Sequence, residues 1–196
     1  MDGSEAASRR RRGAALETAI LDAAWVELSD HGYSGLTFEA VARRAETSRT
    51  VLHRRWGGRA ELVAAAIAQH VQQNPLTVPD LGSLRDELLC LLRRFSDRSP
   101  PRLVRLVFEM SEDLEKAQSS FLAMGGKGVP YSPVRAILDR AVVRGELDGG
   151  EVSRRLMSLP TDLARHEIMM TLEPLSDEAI REIVDDVLLP LIAPRR

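Results

Sequence analysis

Cysteine is almost absent from this 196-residue chain, with Cys90 standing alone. No internal disulfide can form, which argues against a small extracellular fold held by bridges. The lone thiol reads as a small buried hydrophobe. Aromatic residues amount to only 4%, and strand-like alternation is nearly missing, so a sheet-built fold has little support. No apolar run approaches the roughly 18 residues that a membrane-spanning helix needs. The opening "MDGSEAASRRRRGAA" has basic residues but no apolar stretch behind them, unlike a secretory signal, and the expected location is cytoplasmic. Enzyme signatures are missing as well. "GGKG" lacks the upstream Gly and the following Ser or Thr of a phosphate-binding loop. His31, His53, His70 and His166 form no HExxH pair, one cysteine cannot build a cysteine-rich zinc site, and no Ser sits in a GxSxG elbow. The expectation is no enzyme, no metal and no cofactor.

What is present is a globular balance of 44% apolar and 29% charged residues, enough for one ordinary domain or two small ones. Net charge is only −2, but it is unevenly distributed. Residues 1–60 carry ten Arg against eight Asp or Glu, and within 43–59 six Arg face the single Glu46. A local basic cluster attracts polyanions such as nucleic acid; a merely solvated helix face is the competing reading.

Helical periodicity dominates, and the expected fold is all-α. Leu16, Ile20, Ala23, Ala24 and Leu28 share one face of a helix from about Ala14 to His31, closed by Gly32. Thr37 caps the short helix "FEAVARRA" and Ser48 caps a second, Arg49 to Arg55. "WGGR" breaks the pattern, and a longer helix runs from Arg59 to about Gln73, where Asn74 and Pro75 stop it. Further on, Leu84, Leu88, Leu91, Leu92 and Phe95 form a stripe. A helical stretch with a break near Ser111 follows, then a loop at "GGKGVP" and a helix from Ser132 to Arg144. The next helix has Val152, Leu156, Leu159, Leu163 and Met170 along one face and a kink at Pro160. The last spans about Ser176 to Leu189.

Two short helices joined by a tight turn over residues 37–56 form a helix-turn-helix, whose second helix enters the DNA major groove. Helical spacing puts Arg49, Thr50, His53 and Arg54 on one polar face, with Val51, Leu52 and Trp56 available for packing. Arginine can donate two bonds to guanine, and a threonine methyl can touch thymine. Thr37 and Arg59 stand at helix starts, where backbone N–H groups suit phosphate oxygens. With Thr47, Ser48 and Arg55 these residues make up the candidate DNA-binding set.

Residues 14–62 resemble the DNA-binding domain of the TetR (tetracycline-repressor-like) family. "AILDAAWVELSDHGYSGLTFEAVARRAETSRTVLHRRWGGRAEL" carries the likeness: an opening helix, the Gly32–Tyr33 corner, a Thr-capped helix, a Ser-capped recognition helix and a basic residue opening the fourth. Thr47, His53, Trp56 and Arg59 depart from the commoner hydrophobic residue, Tyr, Phe and Lys of that family. "RAVVRGEL" and "EPLSDEAIREIVDDVLLPLI" resemble one of its branches. The resemblance implies a homodimer binding a palindromic operator in double-stranded DNA. It also implies a C-terminal helical bundle for dimerisation and for a small-molecule effector that releases the DNA. The expected division is an N-terminal helix-turn-helix domain at 1–58, with 1–12 as a flexible basic arm, and a regulatory domain at 59–196, with 59–73 as connector helix. Phe95, Val107, Met110, Phe121, Leu163, His166 and Met170 are the candidate effector contacts, with ordinary core packing or a place in the dimer interface as the competing role. The alternative function is a helical small-molecule or protein-binding module that has lost specific DNA readout.

Overall fold

A computed structural model describes residues 3–99, 101–117 and 133–192; of 3–12, 102–104 and 107 it describes the backbone alone. Every regular element among the described residues is a helix. In chain order these are α1 (Gly3–Gly35), α2 (Phe38–Arg44), α3 (Arg49–Arg55), α4 (Arg59–Gln73), α5 (Leu84–Arg98), α6 (Pro101–Glu109), α7 (Ser111–Lys116), α8 (Pro133–Val143), α9 (Arg154–Thr171) and α10 (Asp177–Glu182). A π-helical stretch, Ile183–Leu188, then leads into α11 (Leu189–Ile192). Among the described residues no helix is long and apolar enough to cross a membrane.

Helix α1 starts well before Ala14, and its backbone takes in the basic run at 9–12 that was expected as a flexible arm. "SEAASRRRR" is rich in Ala, Glu and Arg, which are strong helix formers, so the helix propagates through it. Gly32 interrupts the helical geometry with φ 69°, a left-handed value that costs glycine nothing. The break lets the chain turn through Tyr33 and Leu36, both buried, into α2.

The chain divides into two compact units. The first holds the residues through Asn74 together with those from Leu106 on through α7; the second holds Pro75–Arg105 and α8 onward. The expected boundary after residue 58 therefore moves to Asn74, because α4 lies along α1. Leu62, Val63, Ala64 and Ala66 of α4 are buried, as are Ile20, Ala24 and Leu28 of α1. Gln69 donates to Asp22 at 2.8 Å, and the Trp25 and His70 rings stack at 3.7 Å.

In the second unit Leu84, Leu88, Leu91 and Leu92 of α5 are buried against Ile137, Leu138 and Ala141 of α8 and Ile168 of α9. Each such side chain contributes roughly 1.5–3 kcal/mol by leaving water. One carboxylate lies inside this core. Glu87 is fully buried and accepts from Nε of Arg140 at 2.8 Å, from Nη2 of the same residue, and from Nη1 of Arg144 at 2.8 Å. Arg144 also pairs with Asp80 and Glu146, and Glu146 accepts the N–H of Leu84 at 2.7 Å, so α5 and α8 are joined by charge as well as by packing.

Two helices of this unit carry features beyond their apolar stripes. Helix α9 runs without interruption across Pro160 and buries Pro160, Ala164 and Ile168; Leu163 is half-buried and Met170 is 66% exposed. Apolar residues occupy more than one face of this helix, and its buried side is offset from the leucine stripe. The C-terminal helix contains a π turn at Ile183–Leu188, inside which Asp185 forms a two-pronged pair with Arg85, both contacts at 2.7 Å.

Candidate nucleic-acid interface

Both short helices of the first unit are fixed at their starts by the residues that sequence reasoning chose. The Thr37 hydroxyl accepts the N–H of Ala40 at 3.1 Å, and the Ser48 hydroxyl accepts that of Val51 at 3.4 Å. Each bond satisfies one orphan donor of a first turn. Between the helices α2 ends in a six-residue closing motif. The N–H of Thr47 reaches back to the Ala42 carbonyl at 2.9 Å and that of Glu46 to Arg43 at 3.3 Å. The motif requires a left-handed residue at its pivot, and Glu46 takes that role at φ 51°. At the end of α8 the same pair of bonds turns on Gly145, at φ 76°.

This turn sets α3 against the domain with Leu52 and Trp56 buried and Val51 half-buried. Arg49, Thr50, His53 and Arg54 are exposed on the other side, as are Thr37 and Ser48, with Thr47 half-buried. The His53 ring rests 4.6 Å from Phe38 of α2, so its flank is packed while its edge stays in solvent.

The six arginines of 43–59 separate into two groups. Arg43, Arg49 and Arg54 are exposed and pair with no carboxylate among the described residues. The other three are engaged internally. Arg44 bonds the buried Glu27 at 2.7 Å, and Glu27 also faces His31 at 3.7 Å. Arg55 meets Glu17 at 2.6 Å and donates to the Gly13 carbonyl at 3.4 Å, both on α1. Arg59 donates to Oδ2 of Asp113 from Nε and Nη2, at 3.3 and 3.0 Å. Two members of the candidate DNA-binding set, Arg55 and Arg59, therefore have their guanidinium groups turned to protein partners.

The Arg59 site is a small network that sequence reasoning missed. The Tyr33 hydroxyl donates to the same Asp113 oxygen, and the Arg59 guanidinium lies over the Tyr33 ring at 4.1 Å. The Tyr33 hydroxyl bond, followed by Arg59, holds the Asp113 carboxyl below the usual carboxylate range. Burial, then the same bond, pushes Tyr33 up to about 12.

The candidate effector contacts fall in both units. Met110 is fully buried in the first unit, whereas Phe95, Leu163, His166 and Met170 belong to the second. Phe95 packs against the core and has the Arg165 guanidinium 5.8 Å from its ring. His166 and Met170 are exposed. Phe121 and the side chain of Val107 lie outside the described residues, as does "GGKGVP". Cys90 is half-buried, on an open groove with Leu89, Arg93 and Ile180.

Two capped short helices, a left-handed turn and an outward cationic face define a helix-turn-helix protein with a separate helical C-terminal unit. Comparison with known proteins agrees. The model of bacterial regulatory proteins of the tetR family matches residues 20–66, and that of a tetracyclin repressor-like C-terminal domain matches residues 78–187. A DNA-binding transcriptional repressor TetR of Mycobacteroides abscessus is 38% identical over 190 residues, covering 93% of this chain and 97% of that protein. An uncharacterized HTH-type transcriptional regulator of Mycobacterium bovis is 30% identical, covering 89% of this chain and 86% of its own length. The crystal structure of a TetR family transcription regulator shares the fold with a TM-score of 0.67 at 24% identity, over 88% of this chain and 96% of that one. The chain belongs to the tetR family of bacterial regulatory proteins, and it is a DNA-binding transcriptional regulator of that kind.

Proposed function

We propose that the chain is a repressor that binds a palindromic operator as a homodimer in the cytoplasm and is released by a small effector held in its C-terminal unit. The observation that carries the DNA side is the separation of the arginines. Arg43, Arg49 and Arg54 are exposed and pair with no carboxylate among the described residues, Arg49 and Arg54 sharing the outer face of α3 with Thr50 and His53. An Arg on a recognition helix reads guanine through paired bonds, and Thr reads a thymine methyl. Thr37, Thr47 and Ser48 lie where backbone N–H groups meet phosphates and set register. A two-fold pair of such helices fits half-sites about one helical turn, roughly 34 Å, apart. Support for pairing comes from apolar side chains left open in the second unit, Met170, Leu172 and Leu191, exposed by 66%, 48% and 55%. The Mycobacteroides abscessus relative is named as a repressor, which favours repression here. An effector that prefers the DNA-incompetent state by about 1–3 kcal/mol lowers operator affinity 5- to 150-fold.

Fluorescence anisotropy on a duplex from the chain's own upstream region, against a scrambled duplex of equal length, tests the reading. Arg49→Ala is expected to weaken the specific complex and narrow the gap between the two duplexes. Equal weakening on both would remove Arg49 from base readout.

A further inference from the structure

Arg59 opens α4 three residues beyond Trp56, at the edge of the proposed DNA surface. A basic residue there would ordinarily meet phosphate. Here each of its donor nitrogens has an acceptor inside the protein. Nε and Nη2 bond Asp113, and Nη1 donates to the Tyr33 carbonyl at 3.4 Å. Asp113 belongs to α7, 54 positions along the chain and outside the helix-turn-helix. Carboxylate and phosphate present a guanidinium with the same kind of paired acceptor, so the two compete for one group. The side chain of Arg59 is still 36% exposed and can be reached from outside.

We propose that Asp113 withholds Arg59 from DNA. In the free chain Arg59 is an internal cation, and the complex does not count it among its phosphate contacts unless Asp113 is removed or α7 shifts. Asp113 is then a positioning residue that lowers affinity for every duplex alike and leaves sequence preference untouched. The competitor stands on α7 rather than on the helix-turn-helix, so DNA affinity depends on where α7 sits. This rests on the reading of α2 and α3 as the DNA-binding surface.

Each phosphate contact on duplex DNA adds about 0.9 to the slope of log affinity against log salt. The experiment is a titration of the upstream-region duplex and its scrambled partner, from 50 to 200 mM salt, with wild type, Asp113→Asn, Arg59→Gln and the double variant. Asp113→Asn is expected to bind both duplexes more tightly and to steepen the slope by about 0.9, so that its advantage shrinks roughly 3.5-fold across that salt range. Arg59→Gln alone is expected to keep the wild-type slope, and the double variant to lose the gain. Overturning results are a wild-type slope that flattens by about 0.9 in Arg59→Gln, or a folded Asp113→Asn that binds no better than wild type. Should Asp113→Asn fail to fold, the slope of Arg59→Gln decides alone. Binding by wild type that does not respond to salt on either duplex would instead overturn the assignment of the DNA surface itself.

Discussion

Replacing Tyr33 by Phe removes one hydroxyl from the Tyr33–Asp113–Arg59 network and leaves the ring in place. Tyr33 is 2% exposed, and its only loss is the bond it donates to the Asp113 carboxylate. Arg59 keeps its position over the ring and its own bonds to Asp113. A buried hydrogen bond to a charged group is worth about 1.5–3 kcal/mol, so the variant should lose about 2 kcal/mol at pH 7. Urea unfolding followed by tryptophan emission measures this directly, because both tryptophans, Trp25 and Trp56, belong to the same unit as Tyr33. The difference between wild type and variant should also depend on pH. An unfolded tyrosine titrates near ~10, whereas folded Tyr33 titrates at about 12. Raised in the folded state, this acid contributes its full stability below pH ~10 and loses about 1.4 kcal/mol per unit as pH climbs toward its folded value. The gap should therefore be about 2 kcal/mol at pH 8 and about 0.6 kcal/mol, roughly a third of that, at pH 11. On the acid side Asp113, held low, contributes above the usual carboxylate range, and that contribution fades as pH falls through its folded value. A variant within about 0.5 kcal/mol of wild type at pH 8, or a gap that stays constant to pH 11, would refute the network as a source of stability.

Two further substitutions probe the scaffold. Glu46→Gly should stabilise the chain: the left-handed pivot costs a residue with a Cβ about 1–2 kcal/mol, and the added freedom of glycine in the unfolded chain offsets about 0.4–1 of that. The expected gain in the urea-derived stability is about 0.5 kcal/mol, and a loss would show that the Glu46 side chain holds the turn in a way its backbone does not reveal. Glu87→Ala leaves Arg140 and Arg144 without their shared buried carboxylate and should cost about 3–5 kcal/mol, read as a lower midpoint of helix loss by circular dichroism. A cost below about 1 kcal/mol would mean that water replaces the carboxylate without strain.

The sequence showed most where structure is local. Thr37 and Ser48 as caps, Gly32 as a break, Asn74 as a stop and the leucine stripe of α5 are each set by neighbours within a turn or two, and each appears in the fold. The candidate DNA surface was legible for the same reason: the two faces of α3 follow from helical spacing alone. What escaped was long-range. Arg55 and Arg59 looked like DNA contacts because their partners, Glu17 and Asp113, lie 38 and 54 positions away and carry no motif. The left-handed pivot at Glu46 escaped because no glycine marks it, whereas a glycine, Gly145, stands at the pivot of the same turn after α8. The buried side of α9 was not singled out because apolar residues surround much of that helix. The π turn escaped because Ile180, Ile183, Val184, Val187 and Leu188 fit an ordinary helix equally well.

Contact between α3 and base edges can be read by disulfide trapping. Cys90 is the only native thiol, so a Cys90→Ala chain carrying Thr50→Cys presents one reactive sulfur on the exposed face of α3. Mixed with upstream-region duplexes bearing a thiol-tethered base in the major groove, it should crosslink at particular base positions and not on a scrambled duplex. Tight binding of the duplex with no crosslink from position 50, or equal trapping from Thr161→Cys in the second unit, would contradict the placement of α3 in the groove.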